Sequence, residues 1–471
     1  MDNRIDNTDS LVSFRNTRGV SGRGTLIHVT RTNVIFEVYN PYSVVQMSEV
    51  LQSLQILRKS RFLYSGRAVV SNIIATGLMT IVSATLVDPW SDLAGMAPGP
   101  ELRREVEDFV KKWEITHSLR PSYQVVITKL RSFLGELSRW LEQVEVESTT
   151  PAQDDSQELK NEFCAEVEIP LAPKIRELFE NFEHEAGAVA IEEADAHRSF
   201  ARREIHPLIL CAPFVHRTFT KPLGYAGDYE MVNMMLRNPS EGSTTYAKVV
   251  NSFNINTAPA AAHRNRIEML KEILEMESAR AASQSRQLSI LNVGCGPAVE
   301  VQQFAHNPLS GHCVMELLDF NEETLNYTKS KIADAERTAN RKLNLTFIHK
   351  SVDDLLKEAA GIRESQPSRY DLVYCAGLFD YLSNKTCKRL MQLFYNWTTP
   401  GGLVAATNVH KNNPVRFYME HLLEWHLIYR DEAGMQALSP ADSVDRVVRT
   451  DATGVNVFLE IRKPHSAEHT G

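Results

Sequence analysis

At 471 residues the chain is longer than one hydrophobic core usually supports, so two or three folding units are expected. A net charge of -8 and a pI near 6.0 argue against nucleic acid or an anionic membrane surface as a bulk electrostatic partner. None of the six cysteines sits in a C-x-x-C pair and no histidine cluster has zinc-finger spacing, which reads as reduced, mostly buried thiols in a cytoplasmic protein without a metal.

The N-terminus carries Arg4, Asp6 and Asp9 and no apolar run, against a secretory signal. Residues 69–87 hold no charge and are long enough to span a bilayer, but Ser71, Asn72, Thr76, Thr80, Ser83 and Thr85 stand among β-branched residues. Two strands around Gly77 are expected there instead. Short strand patterns at 25–29, 34–38, 63–70, 72–75 and 79–86 alternate with turn chemistry at Gly22, Gly24, Asn40-Pro41 and Ser65-Gly66, predicting a small β-barrel over residues 1–98. The segment resembles PilZ-like barrels, which often receive cyclic di-GMP. Its ligand motifs are degenerate: Arg15 and Arg18 are wrongly spaced for the R-x-x-x-R pair, and His28-Val29-Thr30-Arg31-Thr32-Asn33 replaces the (D/N)-x-S-x-x-G strand. A barrel that binds no dinucleotide is the favoured reading.

Residues 99–283 take a helical period, serving as linker, dimerisation and lid region. Val125, Lys129, Leu130, Phe133, Leu137, Trp140, Leu141 and Val144 form a stripe that must pack against the barrel, later helices or a second copy, and a homodimer is a fair expectation. Residues 147–156 read as an exposed linker.

From 284 to 471 strands and helices alternate, with apolar runs at 288–293, 314–318, 345–348, 372–375 and 403–408. This predicts an α/β Rossmann-like fold with a mostly parallel sheet, closed by an antiparallel hairpin of 447–449 and 455–462. The run Leu291-Asn292-Val293-Gly294-Cys295-Gly296-Pro297-Ala298 is a strand leading into a glycine turn and a helix. Asp319 ends the next strand, where an acid meets ribose hydroxyls in dinucleotide-type folds. The bland alternatives are an ordinary strand-to-helix turn, and a helix N-cap for Asp319. His349 to Asp354, Tyr370 to Gly377 and Pro400-Gly401-Gly402-Leu403 supply further strand ends in order. Together these landmarks resemble the class I S-adenosylmethionine-dependent methyltransferases, with a seven-stranded sheet. The resemblance implies S-adenosylmethionine as methyl donor, held by Gly294, Cys295, Gly296, Asp319, Phe320, Ser351, Val352 and Cys375. Asn292 stands where an acid is frequent and Ala298 where a third glycine is.

The fourth strand ends in Cys375-Ala376-Gly377-Leu378, without the clamp of amide methyltransferases, the magnesium carboxylate of catechol enzymes or the glutamate pair of arginine methyltransferases. A carboxylate acceptor needs none of these, being ionised at neutral pH. A second resemblance enters through His206-Pro207-Leu208, Lys221 to Glu230, His263-Arg264-Asn265-Arg266, and Asn408 to Asp431. These are similar to bacterial enzymes that make methyl esters of 3-hydroxy fatty acids, such as 3-hydroxypalmitic acid, as quorum signals. The implied acceptor is a fatty acyl carboxyl, free or carrier-bound.

Residues 221–229 lack a helical period and read as a shaped loop or lid. Tyr225 and Tyr229 are candidate catalytic walls, with Lys221 and Asp228 as substrate contacts; Asp228 is alternatively a helix cap. Arg266 is a candidate for the donor's carboxylate, or else a surface charge. His410 ends the fifth strand and is a candidate donor to the acceptor oxygen, or a structural histidine. Phe379, Tyr381, Phe417, Tyr418 and Trp425 line an acyl tunnel or belong to the core. The leading function is carboxyl O-methylation. The rivals are a tailoring methyltransferase on another small nucleophile, and a cyclic di-GMP-responsive regulator with an inert methyltransferase fold.

Overall fold

The computed structural model describes residues 10–17, 19–30, 32–38, 45–58, 61–75, 80–88, 119–148, 157–237, 239–361 and 368–465, with isolated positions between 103 and 114. Gly77, Asn40-Pro41, Arg18, Arg31 and most of the expected linker lie outside these.

Six antiparallel strands, β1 (Ser10–Asn16), β2 (Ser21–Val29), β3 (Asn33–Val38), β4 (Val50–Arg58), β5 (Arg61–Ala75) and β6 (Thr80–Leu86), close a barrel in the order β1-β2-β3-β6-β5-β4. The uncharged run at 69–87 therefore supplies barrel wall, and among the described residues no helix is long and apolar enough to cross a membrane. The sequence reading names no strand at β1 or β4. In β4 the inward residues are Leu51, Leu54 and Ile56, because a register shift against β5 between Leu51 and Leu54 breaks the two-residue alternation by which a strand is recognised. The runs at 63–70 and 72–75 are one strand, irregular between Val70 and Asn72.

Helix α1 (Pro121–Ser148) packs against both α2 (Gln157–Gly187) and α3 (Ala194–Ile209). The buried stripe of α1 is Tyr123, Ile127, Leu130, Leu134, Leu137 and Leu141. Val125 and Trp140 are half-exposed, so the face is rotated from the expected one and is covered by later helices of the same chain. Glu147 and Ser148 belong to α1 and not to a linker. Shorter helices α4 (Pro213–Thr220), α5 (Tyr229–Leu236), α6 (Thr245–Ile255) and the long α7 (Ala258–Ser283) lead to the sheet.

The sheet comprises β7 (Leu288–Val293), β8 (Cys313–Asp319), β9 (Asn344–His349), β10 (Tyr370–Cys375), β11 (Thr398–Val409), β12 (Asp445–Thr450) and β13 (Asn456–Arg462), ordered β12-β13-β11-β10-β7-β8-β9. The first five are parallel and the β12-β13 hairpin is antiparallel, as expected. All six residues of β10 are buried, the pattern of a strand covered on both faces. Chain order runs outward from β7 to β9 and then returns to β10 on the other side of β7, leaving a crevice at the carboxyl ends of β7 and β10 where such folds bind ligands. The remaining helices are α8 (Val299–Phe304), α9 (Glu322–Ala339), α10 (Val352–Gly361), α11 (Asn384–Trp397), α12 (Arg416–Leu422) and α13 (Glu432–Gln436).

Leu134→Ala should lower stability by about 2–5 kcal/mol, whereas Val125→Ser should change it by no more than about 0.5 kcal/mol, as measured by urea unfolding. Equal effects would contradict this orientation of α1.

Candidate functional site

The turn leaving β7 is held to the neighbouring strand, since the backbone N–H groups of Gly294 and Cys295 both donate to the Leu318 carbonyl at 2.8 and 2.9 Å. Gly294 (φ +72°) and Gly296 (φ +52°) occupy the left-handed region, and a Cβ on Gly296 would meet nothing within 4 Å. Their lack of side chains thus serves backbone conformation and leaves open space in front of the turn. Ala298 is also left-handed (φ +48°), so a third glycine would relieve strain there of about 1–2 kcal/mol.

Asp319 turns its carboxylate onto this turn. Oδ2 accepts from Gly296 N at 3.0 Å and Oδ1 from Asn321 N at 3.0 Å. The helix cap next door is Asn321, which accepts from Thr324 N, so Asp319 is not the N-cap of α9. Burial raises the Asp319 carboxyl above the usual range. Asn292 has a local reason to replace an acid: its amide donates to Glu300 (3.1 Å) and to the Tyr374 hydroxyl (2.9 Å). Tyr374 also donates to Glu300. A second carboxylate at 292 would face the buried Glu300 at close range, where like charges repel.

One cavity collects most of these groups: Gly294, Cys295 and Gly296 after β7, Asp319 and Phe320 after β8, and Ala376, Gly377 and Leu378 after β10. Arg266 enters from α7. Its guanidinium is buried, which lowers its pKa, while Asp380 and Glu300 attract it. Its Nη1 has no hydrogen-bond partner. Gly377 (φ +87°) leaves room for it, because a Cβ there would lie 3.1 Å from Nη1. His263, one turn earlier, is brought down to about 3 by burial and by Arg266, and is neutral at physiological pH. From the other side come Tyr225, Gly227 and Tyr229, with Tyr225 packing on Phe320 at 5.1 Å between ring centroids. The cavity continues between Phe214, Val232, Met235, Val415, Met419 and Leu423.

Several candidates fall elsewhere. Cys375 is buried in the sheet core, one residue before the lining begins. Val352 is also core, and Ser351 bonds to Asp354 at the start of α10. Asp228 is the N-cap of α5 and pairs with Arg217, so it is architectural. Lys221 points away, donating to the Leu423 carbonyl at 3.1 Å, and burial lowers it to about 7. His410 uses both ring nitrogens, with Glu432 at 3.1 Å and the Asn412 N–H at 3.1 Å, and lines no part of the cavity. Phe379 is stacked with Phe394 in the core, and Phe417 packs against His421 and Gly187. Tyr418, next to it on α12, reaches the cavity instead. Tyr381 and Trp425 do line it: the indole N–H donates to Tyr381 Oη at 3.0 Å, and Tyr381 donates to the Ala226 carbonyl. Tyr229 lines it while its hydroxyl donates to Glu323. Asn292, His263, Glu300, Gln46 and Asp380 were not singled out as contacts by sequence. Asp380, three residues past the glycine that ends β10's turn, had a positional signal.

The strand order, the glycine turn and the acid at the switch point define the fold of the class I methyltransferases. Residues 290–402, from β7 into β11, match the family described as methyltransferase domain. No curated protein matches the chain. Among solved structures it is similar to a possible exported protein of Bordetella parapertussis (14% identity over 78% of this chain and 100% of that one, TM-score 0.40). It is also similar to the N-methyltransferase NodS of Bradyrhizobium japonicum bound to S-adenosyl-L-homocysteine (15%, 50% and 98%, TM-score 0.30). An O-methyltransferase family protein of Burkholderia thailandensis is a third (11%, 50% and 68%, TM-score 0.32).

Asp380 carries a pH prediction. Burial raises its carboxyl from 3.8 to about 6, although Val409 N donates to it. The stability that goes with the protonated form is complete below about pH 4 and is lost as pH rises through about 6. Asp380→Asn should remove that decline, so urea-unfolding stabilities of wild type and variant should diverge between pH 4 and 6 and run parallel above. Parallel curves throughout would refute it.

Proposed function

We propose that the chain is an S-adenosylmethionine-dependent O-methyltransferase whose acceptor is the carboxylate of a 3-hydroxy fatty acid, free or carrier-bound. The observation that carries this is the continuity of one cavity, polar at the glycine turn and apolar between α5, α12 and the loop after it. The residues present suit the donor. Asp319 offers carboxylate lone pairs beyond those taken by two backbone N–H groups, as ribose hydroxyls require. Arg266 has a buried, unpartnered Nη1 suited to a carboxylate. The open space before Gly296 admits a ligand against the backbone. When bound, the donor supplies an electrophilic methyl on sulfur.

The chain's own residues bind, orient and exclude water. Tyr225 and Tyr229 wall the junction between the two halves. Of the titratable groups lining it, His263 is held neutral with a pKa near 3, and Asp380 is anchored through one carboxylate oxygen by Val409 N. A carboxylate acceptor, ionised in water, needs desolvation and alignment rather than proton removal. The apolar walls favour a hydrocarbon tail, which a small polar acceptor would leave uncovered.

The test is to incubate the protein with labelled donor and 3-hydroxy acids of graded length. Methyl esters are expected, and none at any length excludes the acceptor. Asp319→Ala and Arg266→Met should each weaken S-adenosylhomocysteine binding about 10–100-fold by calorimetry. Undiminished binding in both would place the donor elsewhere.

A further inference from the structure

Residues 45–49, leading into β4, are buried although three of them are polar. Gln46, Ser48 and Glu49 are each less than a tenth exposed, and the reason lies in the other half of the molecule. Ser48, left-handed at φ +58°, accepts from His426 N at 2.6 Å, with its hydroxyl in reach of the Glu424 and His426 carbonyls. Met47 N donates to the Tyr381 carbonyl, and Val50 N to the Gly224 carbonyl at 2.8 Å. One short barrel segment thus bonds to three separate pieces of the cavity wall: the 221–229 loop, the residue after the β10 turn, and the segment after α12.

Backbone bonds on both sides fix the segment. Ser48 N donates to Val70 O and Val70 N to Glu49 O within the barrel, and Glu49 Oε2 accepts from Gln46 N at 2.9 Å. The outcome is that Gln46, alone among the described barrel residues, lines the cavity. Its backbone neighbour bonds to Tyr381, whose hydroxyl meets Trp425, so Gln46 belongs to the same wall as these two rings.

The geometry points to Gln46 as a specificity-determining residue that the barrel contributes to the acceptor half of the cavity, its carboxamide hydrogen-bonding a hydroxyl or carboxylate oxygen of the acceptor. A carboxamide both donates and accepts, which suits an acceptor carrying both oxygens. This rests on the proposed methyl transfer, but the barrel's place in the wall can be tested without turnover. The barrel is then a structural component of the site and not only an appended module.

The experiment uses the full chain. With S-adenosylhomocysteine saturating, the apolar dye 1-anilinonaphthalene-8-sulfonate is titrated into wild type and Gln46→Trp. The bulkier side chain should weaken dye binding about tenfold while S-adenosylhomocysteine affinity, which also reports that the variant is folded, stays within about twofold. In turnover, Gln46→Ala should raise the acceptor KM about tenfold with kcat little changed, and Gln46→Asn should restore part of the loss. Unchanged dye affinity in the tryptophan variant, no saturable dye binding by wild type, or an unchanged KM in the alanine variant would each overturn the proposal. If wild type forms no ester at all, the acceptor assignment fails on its own and the dye titration still decides the role of Gln46.

Discussion

Two backbone N–H groups converging on one carbonyl, those of Gly294 and Cys295 on Leu318, hold the turn on which the site is built. They fix the end of the central strand to its neighbour at the level where the sheet reverses its order. With the turn so placed, Gly296 N reaches Asp319, and Thr328 on α9 donates to Gly296 O at 2.7 Å. The left-handed backbone at 294 and 296 is the conformational cost of that arrangement, and glycine keeps it low.

The electrostatics around this turn follow from burial. Glu300 and Asp319 sit in low-dielectric surroundings that favour their neutral forms, and both are compensated by hydrogen bonds rather than ion pairs. Arg266 is the exception: a buried cation with nearby carboxylates but an unsatisfied Nη1. Leaving a charged donor unpaired in the interior costs several kcal/mol unless a ligand completes it, which is why this arginine carries more meaning than a surface one.

Features governed by local spacing were legible in the sequence. The glycine turn, Asp319 at the next strand end and the terminal hairpin all follow from motifs a few residues long. What escaped depends on which way a side chain faces. Cys375 misses the cavity by one position, with Ala376 taking its place, and of the neighbouring candidates Phe417 and Tyr418 only the second lines it, because an apolar run gives no sign of which neighbour looks inward. His410 and Asp228 have suitable chemistry, but partners distant in sequence, Glu432 and Arg217, had already engaged them. Strand β4 was hidden by its bulge. Gln46 had no signal at all, since its role arises only when the barrel docks on segments more than 300 residues away.

Gly224 shows how closely the two halves have been fitted. It is left-handed at φ +85°, its carbonyl receives the Val50 N–H, and any side chain on it would collide with the methyl of Thr17. The bare backbone of the 221–229 loop therefore rests directly on a barrel strand. A foreign barrel lacking these groups would leave the Tyr381 and Gly224 carbonyls and the His426 N–H without their barrel partners at once. The two surfaces are fitted to each other here, and a change on either one alters the hydrogen bonds of the other.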